Sequence, residues 1–145
     1  MQAVLEKGGL FRFCAKGASM TPFVRDGDTI TIAPLGNLPP RLGEVVAFRD
    51  QMNGLRPVVH RVVGRHAEGF IVQGDGNGCM PEVAPPELVL GRLVKLERNG
   101  RPIRLGLGPE RRILAWMSRS RFLWKRIWPA WNRIRPFFRK SDPRC

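Results

Sequence analysis

Apolar and polar positions alternate with a period of two in short runs through the first hundred residues, the pattern of half-buried strands. Leu10-Phe11-Arg12-Phe13-Cys14-Ala15-Lys16 is the first such run and stops at Gly17. Thr29-Ile30-Thr31-Ile32-Ala33 is the second, entered through the turn Asp26-Gly27-Asp28. Further strands are expected over residues 44–49, 57–63, 69–73 and 88–96. Asn99-Gly100 suits a tight hairpin turn with positive φ. Six or seven short strands punctuated by Gly and Pro predict a mostly β domain, a barrel or coiled sheet, over residues 1–105.

The period changes after Pro109. Ile113, Trp116, Leu123, Ile127, Trp131, Ile134 and Phe138 recur at spacings of three, four and once seven residues. Arg112, Arg119, Arg126 and Arg133 fall seven apart on the other side. Residues 106–145 thus read as a basic amphipathic helical tail, with Pro109 in its first turn and Pro129 dividing it.

Charge sharpens this division. The chain of 145 residues carries a formal +13, but residues 1–100 hold 12 Lys and Arg against 10 Asp and Glu. The excess lies in the tail, together with all four tryptophans. Trp and Arg on a helix suit the surface of an anionic membrane; nucleic acid is a weaker alternative, since no specific motif supports it. Packing of the aromatic face on the β domain is the plain structural reading. No apolar run approaches eighteen residues and the first residues lack a secretory apolar core, so a cytoplasmic protein peripheral to the membrane is expected. Cys14, Cys79 and Cys145 are odd in number and far apart, which argues against a disulfide framework. They form no zinc spacing with His60 and His66, and no cofactor is implied.

Three residues can carry chemistry. Ser19 follows the first strand in Gly17-Ala18-Ser19-Met20-Thr21-Pro22, where a hydroxyl can stand exposed beside backbone N–H groups. His60 lies in an apolar run, Val58-Val59-His60-Arg61-Val62-Val63. Strand alternation puts it on the face of Val58, with Val59 and Arg61 opposite. Asp75, in the turn Gly74-Asp75-Gly76-Asn77-Gly78, can hold an imidazole tautomer and stabilise its cation. Each has a plain reading too: a turn serine, a satisfied half-buried histidine and a turn aspartate. His66 reads as a solvent-facing turn residue without a role.

In this order the motifs resemble those of the peptidase family that includes the signal peptidases and the autocleaving LexA-type repressors. The serine box is matched by Gly17-Ala18-Ser19-Met20-Thr21-Pro22 and then Gly27-Asp28. Gly43-Glu44-Val45-Val46 matches the next strand, and His60-Arg61-Val62 the base motif of the histidine-type branch. Gly74-Asp75-Gly76-Asn77 and Val89-Leu90-Gly91-Arg92-Leu93 complete the set, which spans roughly residues 8–98.

The resemblance implies a coiled β peptidase domain and peptide-bond hydrolysis, with Ser19 as nucleophile and His60 as general base. It implies a peptide or protein substrate bound as an extended strand, with small side chains near the cut. In the histidine-type branch a second aspartate lies six positions beyond the first and orients the base. Here that position is Pro81, and Glu82 follows it. Asp75 or Glu82 supplies the orienting charge, or the chain runs as a Ser-His pair, or it is crippled. The alternatives to an enzyme are a peptidase-like binding or regulatory module and a nucleic-acid-binding protein acting through the tail.

Overall fold

The computed structural model describes residues 1–51, 54, 56–76, 79–103 and 112–113. Eight strands form one antiparallel sheet that curls into a half-barrel. They are β1 (Phe11–Cys14), β2 (Thr29–Ala33), β3 (Val45–Asp50), β4 (Arg56–His66), β5 (Gly69–Gln73), β6 (Glu82–Ala84), β7 (Val89–Arg98) and β8 (Arg101–Ile103). The order across the sheet is β1-β2-β7-β3-β4-β5-β6, with β8 added to β7. One short helix, α1 (Gln2–Glu6), precedes the strands, and a single 3₁₀ turn, Pro86–Leu88, leads into β7.

The expected strands form close to their expected positions, and β2 and β5 coincide with them. The β7–β8 hairpin turns at Asn99 and Gly100, both at positive φ (50° and 74°), the conformation an Asn-Gly pair tolerates. Two elements carry no such pattern. Helix α1 is one short turn whose Leu5 alone is buried. Strand β6 is three residues long, too short for alternation to register. Of the expected tail helix only Arg112 and Ile113 are described, both helical; the rest lies outside the described residues. Cys14 is disulfide-bonded, which the odd, scattered cysteines did not suggest, and Cys79 is a free thiol.

Strand alternation sorts the core into two clusters. Ile30, Ile32, Val45, Ala47, Leu93 and Leu96 pack on one face with Met20 and Val24 from the loop after β1, and Val59 leans on them. Val46, Phe48, Val62, Phe70, Val72 and Ala84 pack on the other, joined by Val58. His60 lies on this second face, its ring 5.7 Å from that of Phe48. Among the described residues, no helix is long and apolar enough to cross a membrane.

One buried ion pair ties the loops to this sheet. The guanidinium of Arg61 donates from Nε and Nη2 to the Asp75 carboxylate at 2.7–3.1 Å, and from Nη1 to the Gly43 carbonyl at 2.9 Å. It also stacks 5.6 Å from the ring of Phe23. The two side chains are 1% and 0% exposed. A charge so buried is tolerated because its partner and the remaining acceptors are in place. Arg61→Ala or Asp75→Ala alone is expected to destabilise the fold by about 3–5 kcal/mol, since each strands a buried charge. Urea titration checks this, with Arg61→Met/Asp75→Leu expected to recover much of the loss.

Candidate functional site

β4 runs further than β5, and the site is built where the two part. Val62 donates its N–H to the Glu44 carbonyl and accepts from the Gly43 N–H, both at 2.8 Å. Alternation then turns the peptide groups of His60 and Val58 towards β3 as well. Those of Arg61 face β5, whose pairing ends at Arg61 and Gln73. The peptide groups of Val59 and Pro57 face the same way, beyond the end of β5, along an edge that no strand pairs with among the described residues.

A cleft of about 270 Å³ lies along that edge. Pro57, Val58 and Val59 line one side, and Phe13, Lys16 and Ser19 contribute to the rest. Ala15 directs its N–H and carbonyl to Asp28 and Gly27 (2.7 and 2.9 Å), so the neighbouring Cys14 turns its own peptide groups outwards, and Cys14 lines the same cleft. Cys14 at the end of β1 and Pro57, Val58 and Val59 of β4 thus border one groove.

Ser19 is exposed in the turn that follows β1. Its backbone is held from the far side of the site. The Gly76 N–H donates to the Ser19 carbonyl at 2.7 Å, and Cys79 Sγ donates to the same oxygen at 3.5 Å. The approach is close enough to exclude side chains. A Cβ on Gly74 would sit 2.5 Å from the Ser19 carbonyl oxygen, and one on Gly76 2.8 Å from that of Ala18. The glycines of Gly74-Asp75-Gly76 are therefore contact surfaces for the serine turn as well as turn formers.

His60 is paired with Glu82. Its Nδ1–H donates to Glu82 Oε1 at 2.8 Å, with the side chains 13% and 27% exposed. Sheet register explains the meeting. Val62 opposes Val72, and Val72 opposes Glu82, so Glu82 shares a face with Val62 and with His60 two residues along. With Nδ1 committed as a donor, Nε2 is the ring's proton-accepting atom.

The candidate residues are thus distributed as follows. Asp75, the first candidate to hold the imidazole, is committed to Arg61. Glu82 is on His60, one position beyond the expected aspartate and a methylene longer. No hydrogen bond joins Ser19 to His60, and among the described residues lining the Ser19 cleft His60 is not included. Met20 and Val24, just after Ser19, pack on the face opposite His60. The cleft takes Val58 from His60's face and Val59 from the other, and Ser19 lines it. His66 ends β4 with its side chain about half exposed, and its Nδ1 accepts the Glu68 N–H at 3.3 Å. Sequence reasoning overlooked Arg61 as the partner of Asp75 and Cys79 as a neighbour of Ser19.

Cys79 is poised as a donor rather than as a nucleophile. Burial raises its pKa above the ordinary thiol value, the Gly76 backbone opposes this, and the charges of Asp75 and Glu82 raise it further. A thiol kept protonated is a poor nucleophile. Alkylation of Cys79 by iodoacetamide near neutral pH is expected to be markedly slower than that of the same cysteine in the urea-unfolded chain, and to accelerate as the pH rises. Peptide mapping by mass spectrometry reads both rates. The chain matches no protein-family model and no curated protein, so its functional reading rests on this geometry.

Proposed function

We propose that the chain is a serine endopeptidase of signal-peptidase type, built on a LexA-like β domain, with Ser19 as nucleophile, His60 as general base and Glu82 as the residue that orients it. The observation that carries this reading is the His60–Glu82 hydrogen bond of 2.8 Å, and the packing of the Gly74–Gly76 segment on the serine turn supports it. An imidazole held by a carboxylate at one nitrogen and offering the other is the arrangement a weak alcohol nucleophile needs.

In the proposed reaction an extended peptide lies in the cleft and pairs with the Val59 edge by strand addition. Ser19 Oγ attacks the scissile carbonyl carbon while its proton passes to His60 Nε2. Glu82 stabilises the imidazolium that results. Backbone N–H groups of the serine turn hold the oxyanion, since Gly17 and Ala18 have no side-chain donor. Collapse breaks the C–N bond, and His60 gives its proton to the departing amine. Water, deprotonated by His60, then hydrolyses the ester and restores Ser19. The lack of a hydrogen bond between Ser19 and His60 fits a pair that closes only with substrate bound. It is also what favours the second reading, a peptidase-like module that binds peptides without cutting them.

Ser19→Ala decides between the two. Loss of cleavage of a peptide library or of the chain itself, with peptide binding retained, is the expected result; unchanged processing overturns the enzyme reading. Glu82→Gln is expected to lower kcat by about 10³–10⁴-fold with KM little changed, because the carboxylate acts through the imidazole. For the tail, we propose that its cations and tryptophans hold the protein at an anionic membrane surface. Co-sedimentation with phosphatidylserine vesicles, lost on truncation after Leu107, is the expected outcome; binding to nucleic acid alone would overturn it.

A further inference from the structure

Among the described residues, the cleft beside Ser19 is walled mainly by the apolar side chains of Phe13, Met20, Val24, Ile30, Val58 and Val59, and the charged residue that lines it is Lys16. Lys16 is exposed and makes no ion pair among the described residues. Three other cations near this part of the sheet are paired with carboxylates. Arg12 reaches Glu97 at 3.0 Å, Arg61 is buried on Asp75, and Arg98 holds Asp28 at 2.6 Å. Asp26, whose Oδ1 accepts the Gly17 N–H at 2.8 Å, does not line the cleft. Among the described residues, the groove therefore presents one positive charge, that of Lys16, without an ion-pair partner. A salt bridge formed there is less screened by solvent than one on an open surface.

We propose that Lys16 is a specificity residue that selects an acidic side chain, Asp or Glu, in the bound peptide. This rests on the peptidase reading of the same cleft. Lys16 precedes Ser19 by three positions. An extended chain advances about 3.3 Å per residue, which puts the selected carboxylate within roughly three or four residues of the bond facing Ser19. A lysine is suited to the task, because its flexible stem lies along apolar wall while the ammonium meets the carboxylate. The preferred substrate thus combines apolar or small residues that fill the groove with one acid at a set distance from the cut.

The test uses short peptides of Ala and Val, acetylated and amidated so that their termini carry no charge, in which a single Glu is walked along the sequence. Binding is measured to the full chain carrying Ser19→Ala, and cleavage by the chain with Ser19 intact. The expected result is one or two adjacent Glu positions preferred over Ala by about fivefold, the range of a partly exposed ion pair. The preference shrinks at high salt, disappears with Lys16→Ala and turns towards Lys-containing peptides with Lys16→Glu. Binding indifferent to the Glu walk, or a preference that survives Lys16→Glu, overturns the proposal. A Glu preference that follows Lys16 without any Ser19-dependent cleavage sustains Lys16 as the selector and overturns the peptidase reading instead.

Discussion

The buried Arg61–Asp75 pair connects parts of the chain that secondary structure alone would leave independent. Arg61 stands on β4 with its side chain turned away from the face of His60. Its guanidinium meets the carboxylate just after β5, the carbonyl of Gly43 just before β3, and the Phe23 ring in the loop that begins with Ser19. A carboxylate and a guanidinium without water have few ways to satisfy their hydrogen-bonding groups, so the loops that supply the partners must return to one place. In doing so they carry the Gly74–Gly76 segment against the serine turn and start the chain on its way to Glu82.

The neighbouring residues of β4 therefore divide two tasks. Arg61 holds the scaffold, and His60, pointing to the other face, pairs with Glu82. Each takes its own carboxylate, Asp75 and Glu82, from the same stretch of chain after β5. The separation matters electrostatically. A carboxylate saturated by a guanidinium is a weak partner for an imidazole, so an aspartate serving Arg61 could not also orient His60 well.

The β strands were largely legible from their alternation, because each has one face against a cluster of Val, Ile, Leu and Phe. The turn at Asn99-Gly100 was legible for a local reason, the tolerance of those two residues for positive φ. Strand β6 was not, for its three residues owe their conformation to pairing with β5. The candidate site was legible as a set of residues, Ser19, His60 and a carboxylate, but not as a set of partners. Asp75 and Glu82 both stand within reach along the sequence, and nothing local says which will face the imidazole.

Sequence by itself determined the alternation of β4, and with it that His60 and Arg61 lie on opposite faces, because a strand repeats every two residues whatever it packs against. It also determined the division between a nearly neutral β region and a strongly basic tail. Tertiary structure alone decided that Arg61 takes Asp75 and His60 takes Glu82. Those choices depend on the register of β4, β5 and β6, which places Glu82 across Val72 from Val62. The cleft depends as well on where β5 stops, since it borders β4 at Pro57, Val58 and Val59, beyond the last pair of Arg61 and Gln73. Register and strand ends come from long-range hydrogen bonding across the sheet, and no window of neighbouring residues contains that information.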